Sequence, residues 1–151
     1  MNMNLLKTEN HILVGSWHLE KYEISNQKKQ PVLLWGKSAS GLLIYLDNGY
    51  MSVQVSNNDR PVFANDDLRA GSTEEIFQAF TGYAAYFGKY EYQEKNNRVF
   101  HYVEQSVFPN WNGVTHTRFV SLNDTKLTLR TPPILINGES CEMQMFWQRI
   151  E

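Results

Sequence analysis

The sequence predicts an all-β protein: an antiparallel β-barrel of about eight or nine strands, with one helix covering an end or side. Three observations carry this. Short runs rich in Val, Ile, Leu, Phe, Tyr and Thr recur through the 151 residues, separated by turn clusters such as Asp47-Asn48-Gly49, Asn123-Asp124-Thr125 and Asn137-Gly138. Only the segment from Ser72 to Gly88 has helical apolar spacing. No strand–helix–strand rhythm appears, so the strands belong to a sandwich or barrel, and full closure removes exposed strand edges.

Residues 1–12 read as an N-terminal extension and 13–151 as a single barrel domain. Leu5 and Leu6 are candidates to pack, and Glu9 to Val14 is compatible with a helical turn. Gly15-Ser16-Trp17 opens the first strand, which runs to about Ile24. Asn26 to Pro31 is a polar loop, and Val32 to Gly36 reads as a packed apolar loop.

Gly41 to Val55 is the clearest hairpin, because Asn48-Gly49 is a type I′ turn signal. Pairing across that turn groups Leu42, Ile44, Leu46, Met51, Val53 and Val55 on a core face. Leu43, Tyr45, Tyr50, Ser52 and Gln54 then share the other face, which is either solvated or a ligand wall. Ser56 to Gly71 is a long polar loop, either a lid or a plain surface excursion.

Ser72 and Glu75 form a capping box, and Ile76, Phe80, Tyr83 and Phe87 make a helical apolar stripe. That helix is expected to end between Gly82 and Gly88. Tyr83 and Tyr86 are candidates to aim a hydroxyl into a pocket. Tyr86, Tyr90 and Tyr92 share a strand face.

The segment Arg98 to Ser121 reads as two strands joined by Pro109-Asn110-Trp111-Asn112-Gly113. With Val107 opposite Val114, His101 faces Val120 and Val103 faces Arg118. One face then holds Val99, His101, Val103, Gln105, His116, Arg118, Val120 and Leu122; Phe100, Tyr102, Glu104, Ser106, Thr115, Thr117 and Phe119 take the other. The next hairpin sets Leu122 beside Leu127, Val120 beside Leu129 and Arg118 near Thr131. The first face is thus apolar at one end and polar at the other, the profile of a barrel interior with a packed floor and a partly polar pocket. Pro132-Pro133 ends pairing, and Cys141 to Ile150 is the closing strand.

Composition bounds the function classes. The net charge is -2, with no basic stripe or aromatic-plus-basic groove for nucleic acid. No apolar run approaches the roughly 20 residues of a membrane helix, and no signal peptide is read at the N-terminus. One cysteine, Cys141, precludes an internal disulfide and fits a reducing, cytoplasmic compartment. Four Trp, eight Tyr and eight Phe fit either a core of large side chains or an aromatic-lined pocket.

His101 is the candidate acid or base, or else a buried histidine satisfied by a hydroxyl or carbonyl. Arg118 would orient a ligand carboxylate or enolate oxygen, or pair with Glu104 or another carboxylate. His101 and His116 are too few for a metal site, and no cysteine or carboxylate joins them at ligand spacing. Ser52 and Ser106 lack a nucleophile elbow. No phosphate or dinucleotide fingerprint occurs, and no cofactor is expected.

Several stretches together resemble the bacterial and fungal lipocalin-like domain family. They are GLLIYLDNGYMSVQV (Gly41 to Val55), STEEIFQAFTGYAAYFGKYE (Ser72 to Glu91), HYVEQSVFPNW (His101 to Trp111) and LTLRTPPI (Leu127 to Ile134). Gly15-Ser16-Trp17 and Trp147-Gln148-Arg149 are similar to the lipocalin arrangement in which a first-strand tryptophan packs under an arginine from the far end of the chain. The resemblance covers roughly Leu13 to Ile150 and implies a calycin-type barrel with a Trp17–Arg149 cation–π contact. Family motif positions fall on Tyr45, Tyr50, Ser52, Tyr83, Tyr86, His101, Glu104, Pro109 and Trp111. The resemblance implies no single activity.

The expected ligand-binding set is therefore His101, Arg118, Tyr45, Ser52, Tyr83, Tyr86, His116 and Trp111. The expected function is binding of a small apolar or aromatic molecule inside the barrel of a monomer or homodimer. The alternative is a cofactor-free isomerase, cyclase or dehydratase using His101 in the same pocket. A fully packed interaction module is a third reading.

Overall fold

A computed structural model describes residues 12–151 of the chain. The expectations for Leu5, Leu6 and nearly all of the N-terminal extension lie outside those residues. Nine strands follow in order: β1 (Gly15–Asn26), β2 (Ala39–Tyr45), β3 (Tyr50–Asn57), β4 (Tyr83–Gln93), β5 (Arg98–Ser106), β6 (Thr115–Asn123), β7 (Lys126–Arg130), β8 (Ile134–Ile136) and β9 (Glu139–Arg149). One helix, α1 (Thr73–Thr81), precedes β4. Neighbours pair antiparallel from β1 to β7, β9 follows β7, and β9 also pairs with β1. Eight strands thus close a barrel, and β8 adds to β9 outside that ring.

The barrel closes where β1 meets β9. Trp17 lies opposite Arg149, whose guanidinium stacks on the indole at 4.1 Å. The same guanidinium donates to the carbonyls of Val14 at 2.7 Å and Ile12 at 2.9 Å. Trp17 donates its indole N–H to the Leu13 carbonyl. Both the tryptophan and Leu13 are fully buried, so this corner seals one end of the barrel.

The β2–β3 hairpin corrects the expected turn. Leu46 N–H bonds to the Tyr50 carbonyl, leaving a three-residue loop, Asp47-Asn48-Gly49, with only Gly49 at positive φ. This is a type I turn ending in a left-handed glycine, not a two-residue type I′ turn. One residue of loop length exchanges the faces of β2. Leu43 and Tyr45 therefore point inward with Met51, Val53 and Val55, whereas Leu42, Ile44, Leu46 and Ser52 lie on the outer face.

The helix is shorter than expected. Gly82 caps it, its N–H reaching the Gln78 and Phe80 carbonyls, and Tyr83 and Phe87 belong to β4. The capping box forms as read: Ser72 Oγ accepts from Glu75 N–H, and Glu75 accepts from Ser72 N–H. None of the helix residues is buried, so Ile76 and Phe80 are not core. Glu75 also accepts from Ala64 N–H, tying the long loop to the helix start.

Between β5 and β6, His101 lies opposite His116 and Val99 opposite Arg118. Val103 donates to the Val114 carbonyl and accepts from Gly113 N–H, so the connection begins earlier than expected. The resulting displacement is even-numbered, so each side chain keeps its face although its partner changes. Glu104 is the extra residue of a bulge opposite β4, where Phe87 pairs with Gln105 and Gly88 with Val103. Past it the alternation flips: Ser106 faces the cavity and Gln105 is exposed, the reverse of the sequence reading. The β6–β7 hairpin has the expected register, with Leu122 opposite Leu127 and Val120 opposite Leu129.

Candidate functional site

The barrel encloses a cavity of about 930 Å³, a size suited to a drug-sized ligand. Its wall comes from inward positions of β2, β3, β7 and β9: Leu43, Val53, Val55, Leu129, Met145 and Trp147. Alternation along each strand delivers these side chains, and the two methionines of β9, Met143 and Met145, supply adaptable surface. The mouth is apolar and open. Leu33, Phe77, Phe80, Phe108 and Leu135 line it while staying substantially exposed; Leu135 is 76% exposed and Phe77 60%.

One side of the cavity is polar. His101 is 1% exposed, and both ring nitrogens are occupied. Tyr45 Oη lies 2.6 Å from Nε2 and Tyr86 Oη 2.7 Å from Nδ1. His101 is thus buried with two phenol hydroxyls as partners. Tyr45 itself stacks against Tyr90 at 4.6 Å, and Tyr90 donates to the Leu46 carbonyl. Arg118 lines the cavity beside Tyr86 and donates to the Thr117 carbonyl at 3.0 Å.

No ion pair joins Arg118 to Glu104 or to any other described carboxylate. Glu104 is exposed, which removes the expected alternative partner. Among the described residues the lining includes two arginines, Arg60 and Arg118, and no carboxylate. A chain of net charge -2 thus presents a positive interior.

His116 packs edge-on against Trp111 at 4.7 Å and beside Tyr86 at 5.3 Å, behind the lining. Its Nε2 is buried and without a hydrogen-bond partner among the described residues, as is the indole N–H of the lining Trp147. His101 and His116 form one facing pair, and no group of three metal-ligating side chains occurs among the described residues.

Of the expected residues, the fold gathers His101, Tyr45, Tyr86, Arg118, His116 and Trp111 in one cluster. Ser52 is on the outer face, opposite Ile44 and Phe87, because of the three-residue turn. Tyr83 lies at the mouth, where its hydroxyl donates to Gln54 and its ring carries the Arg60 guanidinium at 4.7 Å. Sequence reasoning missed Arg60, Trp147 and the rim from α1. Arg60-Pro61 sits in the long loop with no periodicity to orient it. Trp147 was legible as inward, since it alternates with Met145 and Arg149.

Burial, followed by Arg118, pushes the His116 imidazole down to about 4. Burial first, then Arg118 and His116, holds His101 well below its ordinary value of 6.5. Both are neutral in the folded protein at neutral pH, but the unfolded chain binds protons there as pH falls below about 6.5. Stability is therefore full above that value and declines as pH drops from 6.5 toward 4. Thermal melts from pH 8 to pH 4 should show Tm level above about pH 7, then falling by about 5 °C or more. His116→Phe, which keeps the contact with Trp111, should flatten part of that slope. An unchanged slope would contradict the assignment.

Residues 14–150 match the lipocalin-like domain family. The chain belongs to that family. Among curated proteins it is similar to the 4′-hydroxy-3′-methoxypropiophenone carrier protein of Aspergillus oryzae. The two are 31% identical over 107 residues, spanning 66% of this chain and 96% of that protein. A lipocalin-like barrel with an internal cavity and a carrier among its relatives supports small-molecule binding. None of the described helices is long and apolar enough to cross a membrane.

Proposed function

We propose that this lipocalin-like protein binds a small, largely apolar aromatic molecule inside its barrel and carries it chemically unchanged. The observation that carries this reading is the cavity itself: a largely aliphatic, methionine and tryptophan wall, with the buried polar group His101–Tyr86–Arg118 on one side and other polar residues, Arg60 and Thr131 among them, elsewhere in the lining. Such a distribution buries an aromatic body and orients one polar substituent. The name of the Aspergillus oryzae relative fits this shape, since an aryl ketone has an apolar ring and few oxygens. The buried thiol of Cys141 is consistent with a reducing compartment, and the cytoplasm is the proposed location.

Binding is favoured over proton transfer at His101 by the hydrogen bonds just described. Both ring nitrogens face tyrosine hydroxyls, and burial keeps the ring neutral. A general base needs an accessible lone pair within hydrogen-bond reach of its substrate.

The test is calorimetric titration of the purified chain with 4′-hydroxy-3′-methoxypropiophenone, with native mass spectrometry for co-purified compounds. One equivalent should bind, and the recovered compound should be unchanged after incubation. Val53→Trp, which places an indole into the empty space, should weaken binding by about tenfold or more, or about 1.4 kcal/mol. Failure of this ketone and of simple alkylbenzenes to bind would defeat the reading. A chemically altered product would favour catalysis.

A further inference from the structure

The hydrogen-bond chain at the polar side of the cavity has a direction. Tyr45 is fully buried and does not line the cavity, and His101 is its hydroxyl's hydrogen-bond partner among the described residues. Were Nε2 the protonated nitrogen, Tyr45 would accept from it and its own proton would be buried without an acceptor. That arrangement costs the desolvation of a hydroxyl. Tyr45 therefore donates to Nε2. A neutral imidazole has one bare nitrogen and one N–H, so Nδ1 carries the proton and donates to Tyr86 Oη. The remaining proton of Tyr86 points elsewhere, and Tyr86 borders the cavity.

Arg118 stands beside the same hydroxyl and can only donate. The polar groups around this point are Tyr45 from β2, Tyr86 and Tyr90 from β4, His101 from β5, and His116 and Arg118 from β6. Tyr90 donates to a backbone carbonyl, and Arg118 is the one charged member among the described residues. Among the described residues no carboxylate lines the cavity to neutralise it.

Resting on the binding reading above, we propose that this side of the cavity is a donor site for an oxyanion, which takes a phenol or enol as its conjugate base. Tyr86 O–H and the Arg118 guanidinium hold the ligand oxygen. Tyr45 and His101 are positioning residues that aim the Tyr86 proton by accepting or donating along a single direction. The ligand's O–H bond breaks, its proton goes to solvent, and the electron pair stays on oxygen. No oxidant or further reactant is needed. Preorganised donors set in a largely apolar wall favour the charged form of the bound ligand, because the donors are already oriented when the oxyanion forms.

The probe is 4-nitrophenol, whose phenolate absorbs at longer wavelength than the neutral phenol, and the control is propylbenzene, which has no oxygen. Bound to the full-length protein, nitrophenol should titrate at least about one pH unit below the free compound, a tenfold preference for the anion. Tyr86→Phe and Arg118→Met should each shrink that shift and reduce the preference for nitrophenol over propylbenzene. Tyr45→Phe frees the imidazole to reverse its tautomer, so the shift should shrink although this residue never touches the ligand. A merely structural role for Tyr45 would lower Tm and leave the bound spectrum unmoved.

Propylbenzene binding together with nitrophenol bound in its neutral form would overturn this inference and leave the binding reading standing. Nitrophenol that does not bind while propylbenzene does would have the same meaning. If neither binds, this inference falls, and the binding reading falls with it only when the ketone also fails to bind.

Discussion

Gly88→Ala is expected to destabilise the barrel severely. A Cβ at this position would lie 1.9 Å from the Tyr102 carbonyl oxygen and 2.9 Å from the Glu104 nitrogen. Both are backbone atoms of β5 at the bulge, so neither can swing aside as a side-chain tip would. Relief requires β4 and β5 to separate, and these strands carry Tyr86 and His101, the two ends of one hydrogen bond. The cost should reach about 4 kcal/mol or more, in the range reserved for severe backbone or core disruption. For a domain of this size that is a fall in Tm of about 8–16 °C, or no soluble protein. Circular dichroism melts check it, with Gly113→Ala as the comparison. Gly113 has φ +80 and open space around it, so alanine there meets only left-handed strain of about 1–2 kcal/mol. A Gly88→Ala protein melting within about 2 °C of wild type would mean the β4–β5 approach is looser than described.

Arg149→Met should be the most damaging change at the other end. It keeps much of the aliphatic stem but removes the guanidinium stacked on Trp17 and two charge-assisted hydrogen bonds to the Val14 and Ile12 carbonyls. Together these contribute about 3 kcal/mol, since hydrogen bonds to charged groups and a partly desolvated cation–π contact are each of order 1–2. Arg149→Lys should recover less than half of that. An ammonium cannot lie flat on an indole while reaching two carbonyls. In a double-mutant cycle with Trp17→Leu, a coupling of about 1 kcal/mol or more is expected. Additive losses would show that Arg149 acts on the chain start independently of Trp17.

These two positions differ in how far the sequence revealed them. Arg149 and Trp17 stood out as a pair through resemblance to lipocalins, at opposite ends of the chain. Gly88 looked like a helix terminator, because Phe80, Tyr83 and Phe87 continue a helical spacing. In the fold that spacing is interrupted by the Gly82 cap, and β4 takes over with period two. Tertiary pairing of β4 with β3 and β5 outweighed a marginal helical preference, as short isolated helices are weak.

The polar cluster was partly legible. His101 and Arg118 were correctly set on one face, because the register error between β5 and β6 was even-numbered and preserved the pleat. Tyr45 was assigned to an alternative ligand wall, and Ser52 travelled with it. The real turn separates them, bringing Tyr45 inward and Ser52 outward. A single residue of loop length decided which of the two reaches the histidine.

Alternation of apolar residues, turn chemistry and the absence of a strand–helix–strand rhythm sufficed to establish an antiparallel barrel and its β6–β7 register. These are properties of a few neighbouring residues, so they can be read along the chain. The direction of the Tyr45–His101–Tyr86 chain is not of that kind. Tyr45 and His101 are 56 residues apart, and their hydrogen bond exists only because β2 and β5 face each other across a closed ring. Which proton points into the cavity follows from who is buried beside whom, and only the folded chain decides that.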